Sequence, residues 1–170
     1  MAESYLSKFS HFTQEVLVNS EKKKIPLADE LSMLEKYIDL HILRLKQPLE
    51  YKFVIDQQID PESTMVPPAI LQPLIENAIN HNFMVKDGKG WIAIHCLQEG
   101  NFLKFTIEDS CGGSPVSIEV QSSDVYDRKI FGIQLVRERL DLWSVGKGSQ
   151  GYLELVPKTD GMCVFLGIPL

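Results

Sequence analysis

The sequence has few cysteines, and none of them are spaced as a metal site or a redox pair requires. Cys96, Cys111 and Cys163 are its three cysteines, and no CxxC pair occurs. A zinc site or a thioredoxin-like motif is therefore not expected. An odd number of cysteines without a secretory signal is typical of reduced thiols in a cytoplasm.

Long apolar runs and clustered basic residues are also missing. No apolar run approaches the roughly 18 residues of a transmembrane helix. The N-terminus, MAESYLSKF, has no apolar signal-peptide core and resembles the middle of a helix, so we expect a segment of a longer protein. The net charge is −6 and the one basic run, 22–24, is short. Nothing therefore predicts a nucleic-acid partner, which would need a basic face.

The pattern of apolar residues predicts an α+β domain. The chain has 170 residues, of which 44% are hydrophobic, enough for one domain with a buried core and an appendage. Helical spacing predicts helices over 4–20, 27–46, 68–82 and 132–143. Alternation predicts strands over 50–55, 91–97, 102–109, 152–156 and 162–168. Strand pairs joined by short turns favour a mostly antiparallel sheet with helices on one face.

The intervening segments carry fewer signals. Pro26 predicts a break after the charged stretch 21–25. Asp29 and Glu30 fall in the first turn of the second helix, where the helix dipole favours acids. Residues 110–130 have no sustained period and are predicted to form a long loop, a feature that is often functional.

Residues in three segments stand out chemically. Asn77, Asn80 and His81 share one side of the third helix, although a solvent-facing polar side is the more ordinary interpretation of that spacing. Asp109 shares the parity of the apolar residues of its strand, so its carboxylate is predicted to face the core, where it needs a donor. The alternative is an Asp that caps a strand-ending turn. Gly132 begins a predicted helix, and helix N-termini attract phosphate, although most such glycines simply end a loop.

Five segments of the chain resemble the ATP-binding domain of LytS-like sensor histidine kinases, which has the Bergerat fold. They are IPLADELSMLEKYIDLHILRL (25–45), VPPAILQPLIENAINHN (66–82), EDSCGG (108–113), FGIQLVRERL (131–140) and DGMCVFLGIPL (160–170). The resemblance implies a two-layer α+β sandwich, with a mixed, mostly antiparallel sheet of about five strands, helices on one face and an additional N-terminal helix. It also implies that 1–24 end a helical dimerisation and phosphoacceptor domain, and that 25–170 bind ATP under a lid near 114–130.

The resemblance implies a role for individual residues. Asn77 matches the residue that holds Mg²⁺ against the ATP phosphates, and an amide oxygen suits this hard cation. Asp109 matches the acceptor for the adenine amino group, while Gly113 and Gly132 match glycines of the two nucleotide-binding turns. The residues expected to contact ATP or Mg²⁺ are therefore Asn77, Asn80, His81, Asp109, Gly113 and Gly132.

The implied activity is phosphoryl transfer from ATP·Mg²⁺ to a histidine on a helix outside this segment, with catalysis mostly by positioning and charge neutralisation. His11 is not expected to be the acceptor, because its neighbours match a later helix of the dimerisation domain. His41 and His95 are expected to be structural. The implied partners are a response regulator and a second copy of the parent protein, a bacterial sensor with a membrane anchor and this domain in the cytoplasm.

Four departures from the family pattern keep an alternative open. Asn80 replaces a lysine, Cys111 and Ile130 replace glycines, and Met162 replaces a threonine. Losing a lysine–phosphate contact weakens binding, and replacing glycine restricts the backbone. The alternative is a degenerate domain that binds nucleotide weakly and acts as a scaffold. A standalone ATP-switched module, like an anti-sigma-factor kinase, is a further alternative that the helical leader 1–24 argues against.

Overall fold

The computed structural model describes residues 2–44, 48–82, 90–110, 123–159 and 161–170. The helices in these ranges are α1 (Ala2–Ser20), α2 (Leu27–Ile42), α3 (Gln72–Asn82) and α4 (Ser123–Ser144). The strands are β1 (Ile25–Pro26), β2 (Leu49–Ile55), β3 (Met65–Val66), β4 (Gly90–Glu99), β5 (Phe102–Ser110), β6 (Tyr152–Lys158) and β7 (Gly161–Pro169).

The main sheet has five strands in the order β2-β4-β5-β7-β6. β2 and β4 are parallel, and the other neighbours are antiparallel. The helices lie on one side of this sheet. The predicted mixed, mostly antiparallel sheet of about five strands with helices on one face is therefore confirmed.

The core lies between the sheet and the helices, and strand alternation sends every second side chain into it. In β5 the side chains of Leu103, Phe105 and Ile107 are almost fully buried. α3 buries Leu74, Ile75, Ala78 and Ile79 against them. Each large apolar side chain buried in this way contributes about 1.5–3 kcal/mol, so α3 is anchored to β5 chiefly by its apolar face.

A second, two-stranded sheet was not predicted. Ile25 and Pro26 pair antiparallel with Val66 and Met65, where the sequence predicted only a break at Pro26. A proline is tolerated at the end of so short a ladder because it has no N–H to leave unpaired. Since Ile25 and Val66 are fully buried, this pairing fixes the start of α2 against the segment that leads into α3.

The starts of α3 and α4 differ by several residues from the predictions, for physical reasons. α3 begins at Gln72 instead of residue 68, because Ala69 has a φ of 52°, which an α-helix cannot contain. α4 begins at Ser123 instead of Gly132, so 123–130 are helical and not a loop. Once packing has formed the later turns, each added residue gains a hydrogen bond, so a segment without an apolar period can extend the helix. Of the predicted lid, 114–122 lie outside the described residues.

The N-terminal helix packs on α2. Phe12 is buried with its ring centroid 5.7 Å from that of Tyr37, and the Glu15 carboxylate lies 2.7 Å from Lys36 Nζ. Asn19 is buried and its amide donates to the sulfur of Met33 at 3.1 Å.

Among the helices of the described ranges, none is both long and apolar enough to cross a bilayer.

Candidate functional site

Asp109 lies near the end of β5, with its side chain on the helix-covered side of the sheet. It is 5% exposed, and its neighbours across the sheet are Ile92 in β4 and Met162 in β7. Its Oδ1 accepts a hydrogen bond from the Met162 backbone N–H at 3.3 Å. The predicted inward parity is therefore confirmed, and the site has a buried carboxylate on the side where α3 packs.

Asn77 lies on α3, the helix that packs against β4, β5 and α4. Its side chain is half-buried, and its Nδ2 atom is buried without a hydrogen-bond partner among the described residues. A buried amide with an unmet bond is costly. An Asn amide can present either its oxygen or its nitrogen by rotating about χ2. The position assigned by sequence to the Mg²⁺ ligand is therefore a polar group that a ligand would satisfy.

The other predicted positions are described less fully. The Asn80 side chain is exposed on α3. His81 belongs to the same helix, but its side chain lies outside the described residues, as does Gly113 altogether. The prediction for Gly132 is wrong in one respect: it lies inside α4 and not at an N-terminus, so its N–H belongs to the helical ladder and is not a free terminal donor.

Gly132 does lie where two helices approach each other closely. A Cβ atom placed on it would be 3.4 Å from Cβ of Pro73, in the first turn of α3. This distance is at the short end of ordinary van der Waals contact. The structure thus brings the glycine of the FGIQLVRERL segment next to the start of the helix that carries Asn77.

Glu30 is a buried, hydrogen-bonded acid that the sequence did not predict at this site. It was attributed to the helix dipole, but it is 2% exposed. Its Oε2 accepts the Ala69 N–H at 2.8 Å and its Oε1 accepts the Leu71 N–H at 3.0 Å. Burial raises the pKa of this carboxyl to about 7, whereas the backbone bonds and Arg139 act in the opposite direction. Its spacing in α2, three residues after the buried Leu27 and four before the buried Leu34, was the signal that this acid faces inward.

Arg139 meets the same segment from the opposite side. Its Nη1 donates to the Pro68 carbonyl at 3.0 Å and to the Ala69 carbonyl. Burial lowers the pKa of the guanidinium, and the nearby Glu30 counteracts this. An arginine nonetheless stays protonated near neutral pH, so the bend before α3 has a cation on one side and an ionisable acid on the other.

A separate cleft of about 490 Å³ is lined by Trp91, Glu108, Asp109, Pro157, Lys158 and Thr159. Glu108 and Lys158 form an ion pair across it. Both are on the exposed face of the sheet, opposite the face that buries the Asp109 carboxylate. The cleft therefore does not by itself mark the site defined by Asn77 and Asp109.

No three His, Cys, Asp or Glu side chains in the described parts of the chain gather closely enough to hold a metal ion. Magnesium commonly uses one or two protein ligands together with substrate phosphates and water. The residues present therefore fit a magnesium ion delivered with a nucleotide, to which the Asn77 amide could supply an oxygen ligand. They do not form a protein-only metal site.

Comparison with known proteins shows what the chain is similar to. The family model for histidine kinases matches residues 1–49. The chain is 30% identical over 169 residues to the sensor protein LytS of Streptococcus mutans serotype c, covering 96% of this chain and 28% of LytS. The chain spans well under half the length of the curated relatives it matches.

Solved structures agree on the fold. The histidine kinase domain of the blue-light activated kinase from Erythrobacter litoralis EL346 superposes with a TM-score of 0.61 at 18% identity, covering 98% of this chain and 75% of that one. The catalytic domain of the histidine kinase ThkA gives 0.53 at 14% identity, covering 86% and 93%. The chain is therefore a relative of the LytS-like sensor histidine kinases, with the Bergerat fold of the histidine kinase ATP-binding domain.

Proposed function

We propose that this chain is the ATP-binding catalytic domain of a two-component sensor histidine kinase. It binds ATP·Mg²⁺, and the γ-phosphoryl group goes to a histidine on a helix outside these 170 residues. Phosphoryl transfer of this kind depends on positioning and on neutralising phosphate charge. The parent protein passes the phosphoryl group to a response regulator.

The buried amide of Asn77 is the observation that carries this proposal. Its Nδ2 atom is buried and has no hydrogen-bond partner within the part of the chain that the structure describes. Asn77 lies in a helix that packs against β5, at the position that the family motif gives to the Mg²⁺ ligand. Asp109, on the inward side of β5, supplies a buried acceptor suited to an exocyclic amino group. The Asn77 amide thus suits the phosphate end of ATP, and the Asp109 carboxylate suits its base.

The remaining site residues have supporting roles in this proposal. Asn80 and His81 contact the phosphates, as the family motif implies, and Gly113 and Gly132 belong to the two segments that the motif assigns to nucleotide binding. The segment near 114–130 is the proposed lid over the nucleotide, and 123–130 of this segment are the first turns of α4. Residues 1–24 belong to the helices through which the parent protein dimerises, and the parent is anchored in a bacterial membrane.

A scaffold that binds nucleotide weakly is the second candidate. The replacement of a family lysine by Asn80 favours it, because the exposed Asn80 side chain carries no charge to neutralise phosphate. Three further departures from the family pattern also favour weak nucleotide binding, namely those at Cys111, Ile130 and Met162.

Calorimetric titration with ATP, with and without Mg²⁺, distinguishes the two candidates. We expect binding that Mg²⁺ strengthens, and we expect Asn77→Ala to remove the Mg²⁺-dependent part. Asn101→Ala, in the β4–β5 turn, is the matched control because it removes the same amide far from the site. Absence of heat at millimolar nucleotide would reject the kinase proposal and leave the scaffold.

A further inference from the structure

We propose that Glu30 and Arg139 are positioning residues for the nucleotide site. From α2 and α4 they hold the bent segment 67–71, and this fixes where α3 presents Asn77. The proposal rests on the proposed function, since it concerns the same site. Neither residue is expected to touch ATP.

Glu30 holds the N–H side of the bend. Both of its carboxylate oxygens are engaged, one by Ala69 and one by Leu71. Leu71 in turn accepts the first two backbone bonds of α3, from Leu74 at 3.0 Å and Ile75 at 3.1 Å. A single buried side chain on α2 therefore fixes the residue from which α3 begins.

Arg139 holds the C=O side of the bend. Its Nη1 donates to the carbonyls of Pro68 and Ala69. The peptide group between Pro68 and Ala69 is thus bonded to both Glu30 and Arg139, and the carbonyl of Ala69 is bonded to Arg139. Ala69 has a φ of 52°, a conformation that costs free energy for a residue with a Cβ. Such a conformation persists only when its surroundings over-determine it, and these bonds from Glu30 and Arg139 do so.

Burying a polar network costs desolvation free energy, whereas apolar side chains can pack in a core without this penalty. A network whose hydrogen bonds are all satisfied holds the surrounding backbone in a single geometry. The helix that follows the bend carries Asn77 within its first two turns, and a helix transmits a shift of its start along its length. The network therefore sets the position of the Asn77 amide relative to Asp109.

The test is a double-mutant cycle in ATP·Mg²⁺ affinity. Glu30→Gln keeps the shape of the side chain but turns one acceptor into an NH₂ group that faces a backbone N–H. We expect Kd to rise ~10-fold, the effect of one misplaced charge-assisted contact. In the Asn77→Ala variant the same change should have no further effect, because Glu30 acts through Asn77. Glu35→Gln, on the exposed side of α2, is the matched control and should leave Kd unchanged.

Two results would overturn the proposal: a Kd for Glu30→Gln equal to that of the Glu35→Gln control, or additive effects of Glu30→Gln and Asn77→Ala. If Glu30→Gln does not fold, Arg139→Lys takes its place in the same cycle. It leaves the bonds to Glu30 intact, and Arg137→Lys is its exposed control.

Hydrogen exchange separates failure of this proposal from failure of the proposed function. Glu30→Gln should speed exchange at the Ala69 and Leu71 amides and through the first turns of α3. If the wild-type chain binds no nucleotide, the proposed function fails, and exchange alone then decides whether Glu30 and Arg139 fix the start of α3. Unchanged protection of these amides would then overturn it, and lost protection that reaches α3 would support it.

Discussion

Replacing Asp109 by Asn separates a nucleotide-binding role of this residue from a structural one. The two side chains have the same shape, and an Asn retains an oxygen that can accept the Met162 N–H. That bond is long, at 3.3 Å, so weakening it should cost less than about 1 kcal/mol of folding free energy. Because the two side chains also have the same shape, we expect the variant to fold and to melt within a few degrees of the wild-type chain.

The expected effect on binding is larger. If Asp109 accepts the adenine amino group, the substitution replaces a charge-assisted hydrogen bond by a neutral one or turns a donor towards a donor. Hydrogen bonds to charged groups contribute about 1.5–3 kcal/mol, which corresponds to roughly a 10- to 100-fold rise in the Kd for ATP.

The assay compares ATP with purine riboside triphosphate, which lacks the amino group, by calorimetry. The wild-type chain should prefer ATP by roughly 10- to 100-fold, and Asp109→Asn should bind both nucleotides about equally. Glu108→Gln is the matched control, because Glu108 precedes Asp109 but faces the opposite side of the sheet, where it pairs with Lys158. It should keep the preference for ATP.

Two outcomes would refute the reasoning about Asp109. Loss of folding in Asp109→Asn would show that the carboxylate is structural. Unchanged discrimination between the two nucleotides in a folded variant would show that the carboxylate does not bind the base.

Further predictions concern stability. Gly132→Ala should raise the free energy of unfolding by about 1 kcal/mol through helix propensity, because the new Cβ would make only a van der Waals contact with Cβ of Pro73, at 3.4 Å. If Gly132 lies against the nucleotide, the same change should weaken ATP binding, and unchanged ATP binding would remove Gly132 from the site. Gly167→Ala should destabilise the protein by about 1–3 kcal/mol in chemical denaturation, because the new Cβ would overlap the Tyr152 ring; wild-type stability would contradict this. The pKa of Glu30 is raised from 4.5 to about 7, so its contribution is fully present below pH 4.5 and is lost as the pH rises through 7. The wild-type chain should therefore lose about 2 kcal/mol relative to Glu30→Gln between pH 5 and 8, and parallel stability curves would contradict the shift.

Local sequence patterns predicted most of the secondary structure and the inward direction of Asp109. Alternation along 102–109 placed the carboxylate on the core side, because side chains in a strand point to opposite faces in turn. The apolar face of 68–82 identified the helix that carries Asn77. Periodicity alone was also compatible with ordinary structural roles for Asn77 and Asp109. Only the family motifs identified them as candidate nucleotide-binding residues.

The boundaries of the helices around the site were harder to predict because they depend on distant partners. Nothing local to 66–71 reveals that Ala69 adopts a positive φ, since its stabilising bonds come from Glu30 and Arg139, far away in the chain. The start of α4 at Ser123 was missed because 123–130 lack the apolar period on which the prediction depended.

The sequence by itself determined the sheet-and-helix architecture, the relationship to LytS-like sensor kinases and the candidate residues Asn77 and Asp109. These follow from periodicity and motif, which are local properties. The tertiary structure alone decided that Glu30 is buried, that Gly132 lies inside a helix, and that the bend before α3 is held from two sides. Those features depend on which groups from remote segments meet, and only the folded packing of α2, α3 and α4 brings them within hydrogen-bonding distance.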